Sequence, residues 1–320
     1  MPNILLTTYC NRRCPYCFAL DAMEGAQSRE MTMSELITVA DMIVASGSLS
    51  TGVLGGEPTL HPQFYEMVSY LLARGIRVRV FTNGLCRDEL MDEMETWRQD
   101  GRLKFVVNVN FPQIETEQNR AAQERFIQRF AGVCDLGLNV FRADLDPMFL
   151  SDLARRTGVK NRRIRVGLAQ PIVGERNEFL SLDYYREVAG KIVKLAEAVF
   201  DLGIVVSLDC GFPLCSFTDE QLGRLRRVRA DAKFVCSTAT DVAPGLIAWS
   251  CFPLAKHNRT TIDRATRFKE LQDRFLNMNK QYRRRVRRGV FKACDDCPYF
   301  EHRVCDGGCL AHVIPGNGKA

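Results

Sequence analysis

Three closely spaced cysteines near the beginning of the chain are the first residues whose types could do chemistry. Cys10, Cys14 and Cys17 follow a short apolar run and have the spacing C-x3-C-x2-C. Thiolates this close together on one loop can bind a single iron–sulfur cubane, which has four irons and would keep one of them open to a ligand from outside the protein. The alternatives are a structural zinc site without its fourth ligand, or three incidental thiols.

A second motif ends the next apolar run, where Gly55 and Gly56 are followed by Glu57 and Pro58. We interpret the two glycines as positions where the backbone approaches a ligand closely. The carboxylate can accept hydrogen bonds from an ammonium group. The alternative is a tight turn that the proline closes.

Short apolar runs that alternate with amphipathic segments must position both motifs. The apolar runs predict strands at residues 4–8, 51–56, 76–82, 103–110, 136–141 and 163–168, and helices between them at residues 33–45, 64–73 and 89–97. Nearly continuous apolar strands are typical of a parallel sheet that is covered on both faces. The alternation therefore predicts an α/β fold, a partial (β/α)6 TIM-like barrel with its chemistry in the loops at the carboxyl ends of the strands.

Together these features resemble the radical S-adenosylmethionine (radical SAM) superfamily. The resemblance covers at least residues 4–170 and depends on the cysteine spacing, the aromatic Tyr16 before the third cysteine, and the Gly-Gly-Glu-Pro motif one βα unit later. It implies that the three cysteines hold a [4Fe–4S] cluster and that SAM chelates the open iron. Residues 55–57 would contact the amino group of SAM. Reductive cleavage would then give methionine and a 5′-deoxyadenosyl radical that abstracts a substrate hydrogen.

Polar residues on later strands are further candidates for binding SAM. Asn83 follows the third predicted strand, and Asn108 and Asn110 lie on the fourth. These two asparagines share a face of the strand because they are two residues apart. We favour Asn108 only for its depth along the strand. Arg165 on the sixth strand is a candidate for the SAM carboxylate or for the substrate, and a solvated arginine is the alternative.

The chain downstream of residue 205 is rich in cysteine. Eight cysteines lie there, namely Cys210, Cys215, Cys236, Cys251, Cys294, Cys297, Cys305 and Cys309. The last four have the spacing C-x2-C-x7-C-x3-C, which differs from the paired C-x2-C spacing of a zinc ribbon. This region resembles the SPASM extension of radical SAM enzymes, or its shorter twitch version, which carries auxiliary [4Fe–4S] clusters.

The resemblance implies a ligand set for each of two auxiliary clusters. One set is Cys215, Cys236, Cys251 and Cys309, and the other is Cys294, Cys297 and Cys305. The gap between Cys297 and Cys305 is longer than in the family, and no cysteine follows Cys309. Several choices therefore stay open. Cys210 could replace Cys215. Asp306, His302 or His312 could complete the second set, its fourth iron could stay open, or the region could carry only one auxiliary cluster.

We place a domain boundary near residue 205. Residues 1–205 would form the radical SAM barrel and residues 206–320 the small auxiliary-cluster domain, with the two packed as one body. Cys86 is outside both ligand sets and begins a predicted helix, whose field would lower its pKa. It is a candidate hydrogen donor, and the alternative is a buried bystander.

Composition excludes several classes of protein. The 320 residues are 46% hydrophobic and 26% charged, and no window of 18 residues is uninterruptedly apolar, so we expect no membrane span. The beginning of the chain lacks the pattern of a secretory signal, so we expect a reducing, cytoplasmic location, where 13 cysteines favour metal ligands over disulfides. The net charge of +6 is diffuse, and the basic run at residues 283–288 has no interleaved aromatic residues, so we expect no nucleic acid.

These observations predict a radical SAM oxidoreductase that functionalises a C–H bond. We favour a peptide maturase that oxidises, cross-links or epimerises its substrate. The alternatives are a dehydrogenase, epimerase or decarboxylase of a small metabolite such as an aminosugar or nucleoside, and a non-catalytic iron–sulfur electron-transfer or scaffold protein. We expect an electron donor such as a flavodoxin or ferredoxin. Because the motif begins at residue 10, which leaves no room for an N-terminal recognition domain, three alternatives stay open: a peptide supplied by a separate peptide-recognition protein, a leader-independent peptide, or a small metabolite.

Overall fold

The computed structural model describes residues 2–19, 29–174, 177–209, 211–236 and 239–314. Ten strands in this part of the chain form one sheet. They are β1 (Pro2–Leu5), β2 (Ser50–Leu54), β3 (Arg77–Thr82), β4 (Leu103–Asn108), β5 (Cys134–Val140), β6 (Arg163–Leu168), β7 (Val205–Leu208), β8 (Thr240–Ala243), β9 (Ile247–Trp249) and β10 (Thr260–Thr261).

Strands β1 to β7 lie side by side in chain order, and each pair is parallel. Strand β8 pairs in parallel with the other side of β1, and β9 and β10 continue from it in antiparallel pairs. The sheet therefore extends beyond the six predicted strands at both edges. The predicted fold class, an α/β partial barrel, is confirmed.

Among the described residues, seven helices lie in the connections between the parallel strands, and two more follow the sheet. They are α1 (Met33–Ala45), α2 (Phe64–Ala73), α3 (Asp88–Met94), α4 (Glu117–Arg129), α5 (Phe149–Thr157), α6 (Tyr185–Ala198), α7 (Asp219–Arg227), α8 (Phe268–Arg285) and α9 (Pro298–Glu301). This strand–helix–strand order brings the carboxyl ends of the parallel strands to one edge, as in a barrel mouth.

Local sequence explains where these helices begin and which side they bury. The hydroxyl of Thr32 accepts a hydrogen bond from the backbone N–H of Glu35 at 3.2 Å, and the Glu35 carboxylate accepts one from the N–H of Thr32 at 2.7 Å. This reciprocal capping starts α1. Leu36, Val39 and Ile43 then recur at helical spacing and are fully buried against the sheet.

The two faces of the sheet differ in character. On β3, Val78 and Val80 are buried in the main hydrophobic core beneath the helices, whereas Arg79 and Phe81 are half-buried on the opposite face. We call that opposite face the inner face. Side chains alternate along a strand, so the residues of β3 divide between an apolar outer face and a more polar inner face. The predicted apolar cover is therefore found on the outer face of β3, and not on its inner face.

The division into two domains stays a prediction. Strands β7 and β8 follow the predicted boundary near residue 205, and both belong to the same sheet as β1 to β6. Among the described residues, no helix combines the length and the apolar character that crossing a membrane requires.

Candidate functional site

The Gly-Gly-Glu-Pro turn packs directly on the loop that carries the three cysteines. The backbone N–H of Gly56 donates to the carbonyl of Thr7 at 2.8 Å, and that of Glu57 donates to the carbonyl of Tyr9 at 2.7 Å. A Cβ atom on Gly55 would stand 2.4 Å from the carbonyl oxygen of Thr7, and one on Gly56 would stand 2.2 Å from the carbonyl oxygen of Tyr9. The glycines are required because two segments of this chain touch. The expected close approach of this backbone to a ligand stays a prediction.

The carboxylate of Glu57 is occupied by the protein itself. One oxygen accepts from the hydroxyls of Thr59 and Thr82, both at 2.8 Å, and the other accepts from the backbone N–H of Asn83 at 2.6 Å. The residue is 1% exposed, and burial raises the pKa of its carboxyl. Glu57 thus ties β2 to β3, and its contact with an ammonium group stays a prediction. Pro58 begins a short 3-10 turn, Pro58–Leu60.

Asn83 connects the end of β3 with the cysteine loop. Its side-chain Nδ2 donates to Oδ1 of Asn11 at 2.7 Å, and Nδ2 of Asn11 donates to the carbonyl of Leu85 at 3.2 Å. Asn83 is buried, and its own Oδ1 accepts from the N–H of Leu85 at 2.8 Å. The structure therefore places this predicted site residue against the loop between Cys10 and Cys14.

A buried ion pair holds the same loop from the other side. The guanidinium of Arg12 lies 2.8 Å from the carboxylate of Glu115, and the two side chains are 6% and 5% exposed. Arg12 also donates to the carbonyl of Asn108 at 3.2 Å. Sequence reasoning missed both charged residues. Arg12 occupies one of the unspecified positions of the cysteine motif, and Glu115 is far from it in the chain and outside any recognisable motif.

Asn110 contacts the cysteine loop more directly than Asn108 does. Its Nδ2 donates to Sγ of Cys14 at 3.6 Å and to Glu115 at 2.9 Å, and its Oδ1 accepts from the hydroxyl of Tyr16. The Asn108 side chain instead lies over β5, where a Cβ on Gly137 would stand 2.4 Å from Oδ1 of Asn108. The structure thus reverses the preference between the two asparagines as neighbours of the cysteines. A contact of either with SAM stays a prediction.

Tyr16 completes this corner of the site. It is 8% exposed, and its ring lies 4.9 Å from the ring of Phe141, measured between centroids. Burial raises the pKa of the Tyr16 hydroxyl well above its usual value, so the group remains a donor to Asn110. The aromatic residue of the motif therefore anchors the loop at the position just before the third cysteine.

The three cysteines fit the ligand set of an open cubane. Cys10 is exposed, Cys14 and Cys17 are half-buried, and no disulfide links any of the cysteines that the structure describes. Within the described ranges, no three His, Cys, Asp or Glu side chains converge closely enough for a single metal ion. Zinc draws its sulfur ligands to about 2.3 Å of one ion. In a cubane, by contrast, each thiolate binds its own iron, so the donors stay further apart.

Arg165 and Cys86 differ from their predicted surroundings. Arg165 lies on the inner face, where it pairs with Asp209 at 2.7 Å and covers the ring of Phe81 at 4.9 Å, so it is not a solvated arginine. Cys86 precedes α3, which begins at Asp88, and burial raises the pKa of its thiol to about 12. The expectation of a lowered pKa at Cys86 is therefore wrong.

The surroundings of Cys86 are nevertheless those of a cleft. It lines a cavity of about 400 Å³, together with Arg87 and Arg125 among others. Its thiol also lies within electrostatic reach of Glu57. A role as hydrogen donor stays a prediction.

The downstream cysteines fall into two groups, and Cys215 belongs to a different group from the one expected. Burial raises the pKa of the Cys215 thiol, and the nearby thiols of Cys294, Cys305 and Cys297 raise it further. The backbone N–H of Leu214 donates to Sγ of Cys305 at 3.4 Å. The short 3-10 turn Leu214–Ser216, which carries Cys215, therefore lies against the second predicted ligand set.

Cys236, Cys251 and Cys309 form the other group. Burial raises the pKa of Cys309 to about 12, and the nearby Cys236 raises it further. Cys251 and Cys309 pack against the same small hydrophobic cluster, which includes Leu254 and Val290. Cys210, the predicted alternative to Cys215, lies outside the described residues.

The three other candidates for completing the second set lie in different surroundings. Asp306 accepts a hydrogen bond from the backbone N–H of Cys236 at 2.7 Å. His312 lies 3.2 Å from the hydroxyl of Tyr185, and burial lowers its pKa to about 4. His302 is exposed. Of the candidates that the structure describes, the thiol of Cys215 is the one in electrostatic reach of all three cysteines of the second set.

Comparison with known proteins locates the family resemblance on the chain. Residues 4–110 match the model of the radical SAM superfamily. The antilisterial bacteriocin subtilosin biosynthesis protein AlbA of Bacillus subtilis is 28% identical over 113 residues, which are 35% of this chain and 24% of AlbA. The mitochondrial GTP 3′,8-cyclase of Arabidopsis thaliana is 25% identical over 202 residues, which are 60% of this chain and 52% of the cyclase. The matched regions thus span between a quarter and about half of these relatives.

The fold is shared with a solved structure over almost its whole described length. SuiB of Streptococcus suis bound to S-adenosylmethionine superposes with a TM-score of 0.69 at 14% identity, covering 97% of this chain and 72% of SuiB. The structure of SuiB bound to its precursor peptide SuiA gives a TM-score of 0.67. The cysteine loop, the Gly-Gly-Glu-Pro turn and β2 to β4 all lie within the matched residues 4–110, and this part of the chain is a radical SAM superfamily domain.

Proposed function

We propose that the chain is a radical SAM enzyme in which Cys10, Cys14 and Cys17 hold a [4Fe–4S] cluster. The observation that carries this proposal is the packing of the Gly-Gly-Glu-Pro turn on the loop that bears these three cysteines. When bound, the cluster supplies the electron that cleaves SAM and so starts hydrogen abstraction from the substrate. The protein supplies orientation and electrostatics.

Residues around the loop hold it in the position that such chemistry requires. Asn110 and Tyr16 fix it near Cys14, the Arg12–Glu115 pair holds its middle, and Glu57 braces the turn against β3. Because the Glu57 carboxylate is occupied, the backbone of residues 55–57 is the part of the turn that would contact the amino group of SAM. A loop fixed in this way limits the motion of a reactive substrate complex.

We propose a peptide as the substrate, which the enzyme would oxidise, cross-link or epimerise. The support is the similarity to AlbA, whose name describes bacteriocin biosynthesis, and the shared fold with SuiB, whose structure has been solved with a precursor peptide. A small anionic metabolite is the second candidate. Similarity to the GTP 3′,8-cyclase over 60% of this chain favours it.

We propose two auxiliary clusters in the downstream region. Cys294, Cys297 and Cys305 would hold one, with Cys215 as its fourth ligand, because these four thiols are neighbours. Cys236, Cys251 and Cys309 would hold the other. Such clusters would accept the electron that the product radical releases. A flavodoxin or ferredoxin would supply the electron that starts the reaction. A separate peptide-recognition protein would present the substrate.

The proposal is tested by anaerobic reconstitution with iron and sulfide, followed by incubation with SAM and dithionite. We expect 5′-deoxyadenosine from the wild type and none from the triple Cys10/Cys14/Cys17→Ala variant. Cys134→Ala is the matched control, because Cys134 is buried in β5 on the outer face. Equal amounts of 5′-deoxyadenosine from the wild type and the triple variant would overturn the proposal and favour an iron–sulfur scaffold.

A further inference from the structure

The basic run at residues 283–288 lies against the segments that carry the downstream cysteines. We call Cys236, Cys251 and Cys309 the Cys309 group, and Cys215, Cys294, Cys297 and Cys305 the Cys294 group. Arg283 is half-buried near the end of α8, and its guanidinium donates to the carbonyls of Arg288 and Gly308, both at 2.8 Å. Gly308 directly precedes Cys309, so Arg283 is tied to the backbone of the Cys309 group.

Arg287 has the corresponding position at the Cys294 group. Its Nε donates to the carbonyl of Gly289 at 2.7 Å, and its guanidinium also donates to the carbonyl of Val290. A Cβ on Gly289 would stand 2.6 Å from Sγ of Cys294. Desolvation raises the pKa of the Cys294 thiol, and the positive charge of Arg287 acts against that rise. Arg287 therefore holds the backbone on which Cys294 packs and places its charge near that thiol.

Both arginines keep their positive charge, because their hydrogen-bond acceptors are neutral. Among the residues that the structure describes, Arg283 and Arg287 donate to backbone carbonyls and neither pairs with a carboxylate. Arg288, by contrast, pairs with Glu301 at 3.3 Å. A guanidinium stays protonated throughout the pH range in which proteins fold. Each group of cysteines thus has a fixed cation beside it.

The charge of Arg283 acts on two thiols of its group. Desolvation raises the pKa of Cys236 and of Cys309, and the positive charge of Arg283 acts against that rise at both. The carboxylate of Asp306 acts in the opposite sense to Arg283 at Cys236. Removal of the Arg283 charge would leave the negative charge of Asp306 uncompensated there, so the electrostatic potential at the thiol would become more negative.

We propose that Arg283 and Arg287 raise the reduction potentials of the two auxiliary clusters, Arg283 at the Cys309 group and Arg287 at the Cys294 group. Reduction adds negative charge to a cluster, so a fixed positive charge beside its thiolates stabilises the reduced form. Residues that contact the ligands from outside tune a metal centre in this way. The inference rests on the proposed auxiliary clusters, and it gives the basic run a role that its sequence did not suggest.

The test is an anaerobic redox titration of the reconstituted full chain, followed by electron paramagnetic resonance. The signals that C309A and C294A lose identify the two clusters. In Arg283→Gln we expect the equilibrium constant for one-electron reduction of the Cys309 group to fall about tenfold, a shift of about 59 mV to lower potential, with the Cys294 group unchanged. Arg287→Gln should show the reverse pattern.

Arg285→Gln is the matched control and should leave both potentials unchanged. Arg285 is exposed on the same helix, about 200° further around its axis than Arg283. Unchanged potentials in both R283Q and R287Q, or equal shifts of both clusters in each variant, would overturn the proposal. So would shifts in R285Q as large as those in R283Q.

Arg283→Lys separates the effect of charge from the effect of the hydrogen bonds. Lysine keeps the positive charge but lacks the planar fork that binds two carbonyls. We expect R283K to titrate close to the wild type. A shift in R283K as large as that in R283Q would show that Arg283 acts by holding the backbone, and would overturn the proposal. If R283Q does not retain its iron, R283K decides: wild-type iron and potential support the proposal, and loss of iron there contradicts it.

Iron content distinguishes failure of this inference from failure of the proposed clusters. A wild-type chain that reconstitutes with about four irons would contradict the auxiliary clusters and this inference with them. About twelve irons, with potentials that do not respond to R283Q and R287Q, would contradict this inference alone and leave the proposed clusters in place.

Discussion

The carbonyl oxygen of Tyr9 occupies the place where a side chain on Gly56 would begin, because a Cβ there would stand 2.2 Å from that oxygen. Tyr9 directly precedes the first cysteine of the loop. The turn after β2 and the loop after β1 are therefore one unit, whose spacing allows no additional atom. Gly56 is therefore required because two segments of the same chain are in contact there.

Substitution of Gly56 should therefore displace the cysteine loop. In Gly56→Ala the added methyl group has only backbone to move against, so we expect the iron content assigned to the three cysteines and the yield of 5′-deoxyadenosine both to fall several-fold. Gly101→Ala is the control, since no described atom lies within 4 Å of a Cβ at Gly101. Full iron content and full yield in G56A would show that the contact is dispensable.

Glu57 should matter for stability even in the absence of SAM. Glu57→Gln keeps the size of the side chain but replaces an acceptor with an amide group that donates, so one donor from Thr59, Thr82 or Asn83 loses its partner. We expect a loss of about 1–3 kcal/mol in the free energy of unfolding. Urea denaturation measures it, with Glu89→Gln as the control because the Glu89 side chain is exposed on α3. An unchanged unfolding free energy in E57Q would contradict the bracing role.

The buried pair of Arg12 and Glu115 should be strongly coupled. Arg12→Met leaves the Glu115 carboxylate buried without its cation, and we expect a loss of about 3–5 kcal/mol in the free energy of unfolding. The double variant with Glu115→Gln should recover part of that loss. Arg155→Met, at the exposed pair with Asp201, should change stability little. Additive losses in the double variant would show that the two residues do not act as a pair.

Iron counting should assign Cys215 to its cluster. If Cys215 and Cys294 hold the same cubane, C215A and C294A each lose about four irons per chain, and the double variant loses no more than either. The double variant C215A/C236A should lose about eight, because two cubanes are then affected. Cys134→Ala serves as the control for removal of a thiol. The reverse result, a loss of about eight irons in C215A/C294A and about four in C215A/C236A, would return Cys215 to the group of Cys236.

Asp241 should make stability depend on pH. Burial raises the pKa of its carboxyl to about 7, and Asn3 donates to it at 2.7 Å. The folded protein therefore keeps this proton to a higher pH than the unfolded chain does, so the free energy of unfolding falls as pH rises from about 4 to about 7. In Asp241→Asn the group no longer titrates.

The difference in unfolding free energy between D241N and the wild type isolates this group, because other titrating residues contribute to both proteins. It should grow in favour of D241N across that window by up to about 4 kcal/mol. Urea unfolding at several pH values measures it. A difference that does not vary with pH would show that Asp241 titrates normally.

Local sequence patterns were sufficient for the elements that carry the site. Helices α1 and α2 begin and end at the predicted residues 33–45 and 64–73, because helical spacing of apolar residues is a local property. Strand β6 likewise spans residues 163–168 as predicted. The nearness of the cysteine loop to the Gly-Gly-Glu-Pro turn was also predictable, since the carboxyl ends of neighbouring parallel strands meet at one edge.

The alternation of strands and helices, the cysteine loop and the Gly-Gly-Glu-Pro turn could each be predicted, since each depends on residues close together in the chain. Three other contacts became known from the folded chain: Arg12 pairs with Glu115, Asn110 and not Asn108 contacts Cys14, and Cys215 lies near Cys294, Cys297 and Cys305. Those contacts join residues on different strands and loops. Their partners follow from how the sheet curves and packs, which no local pattern encodes.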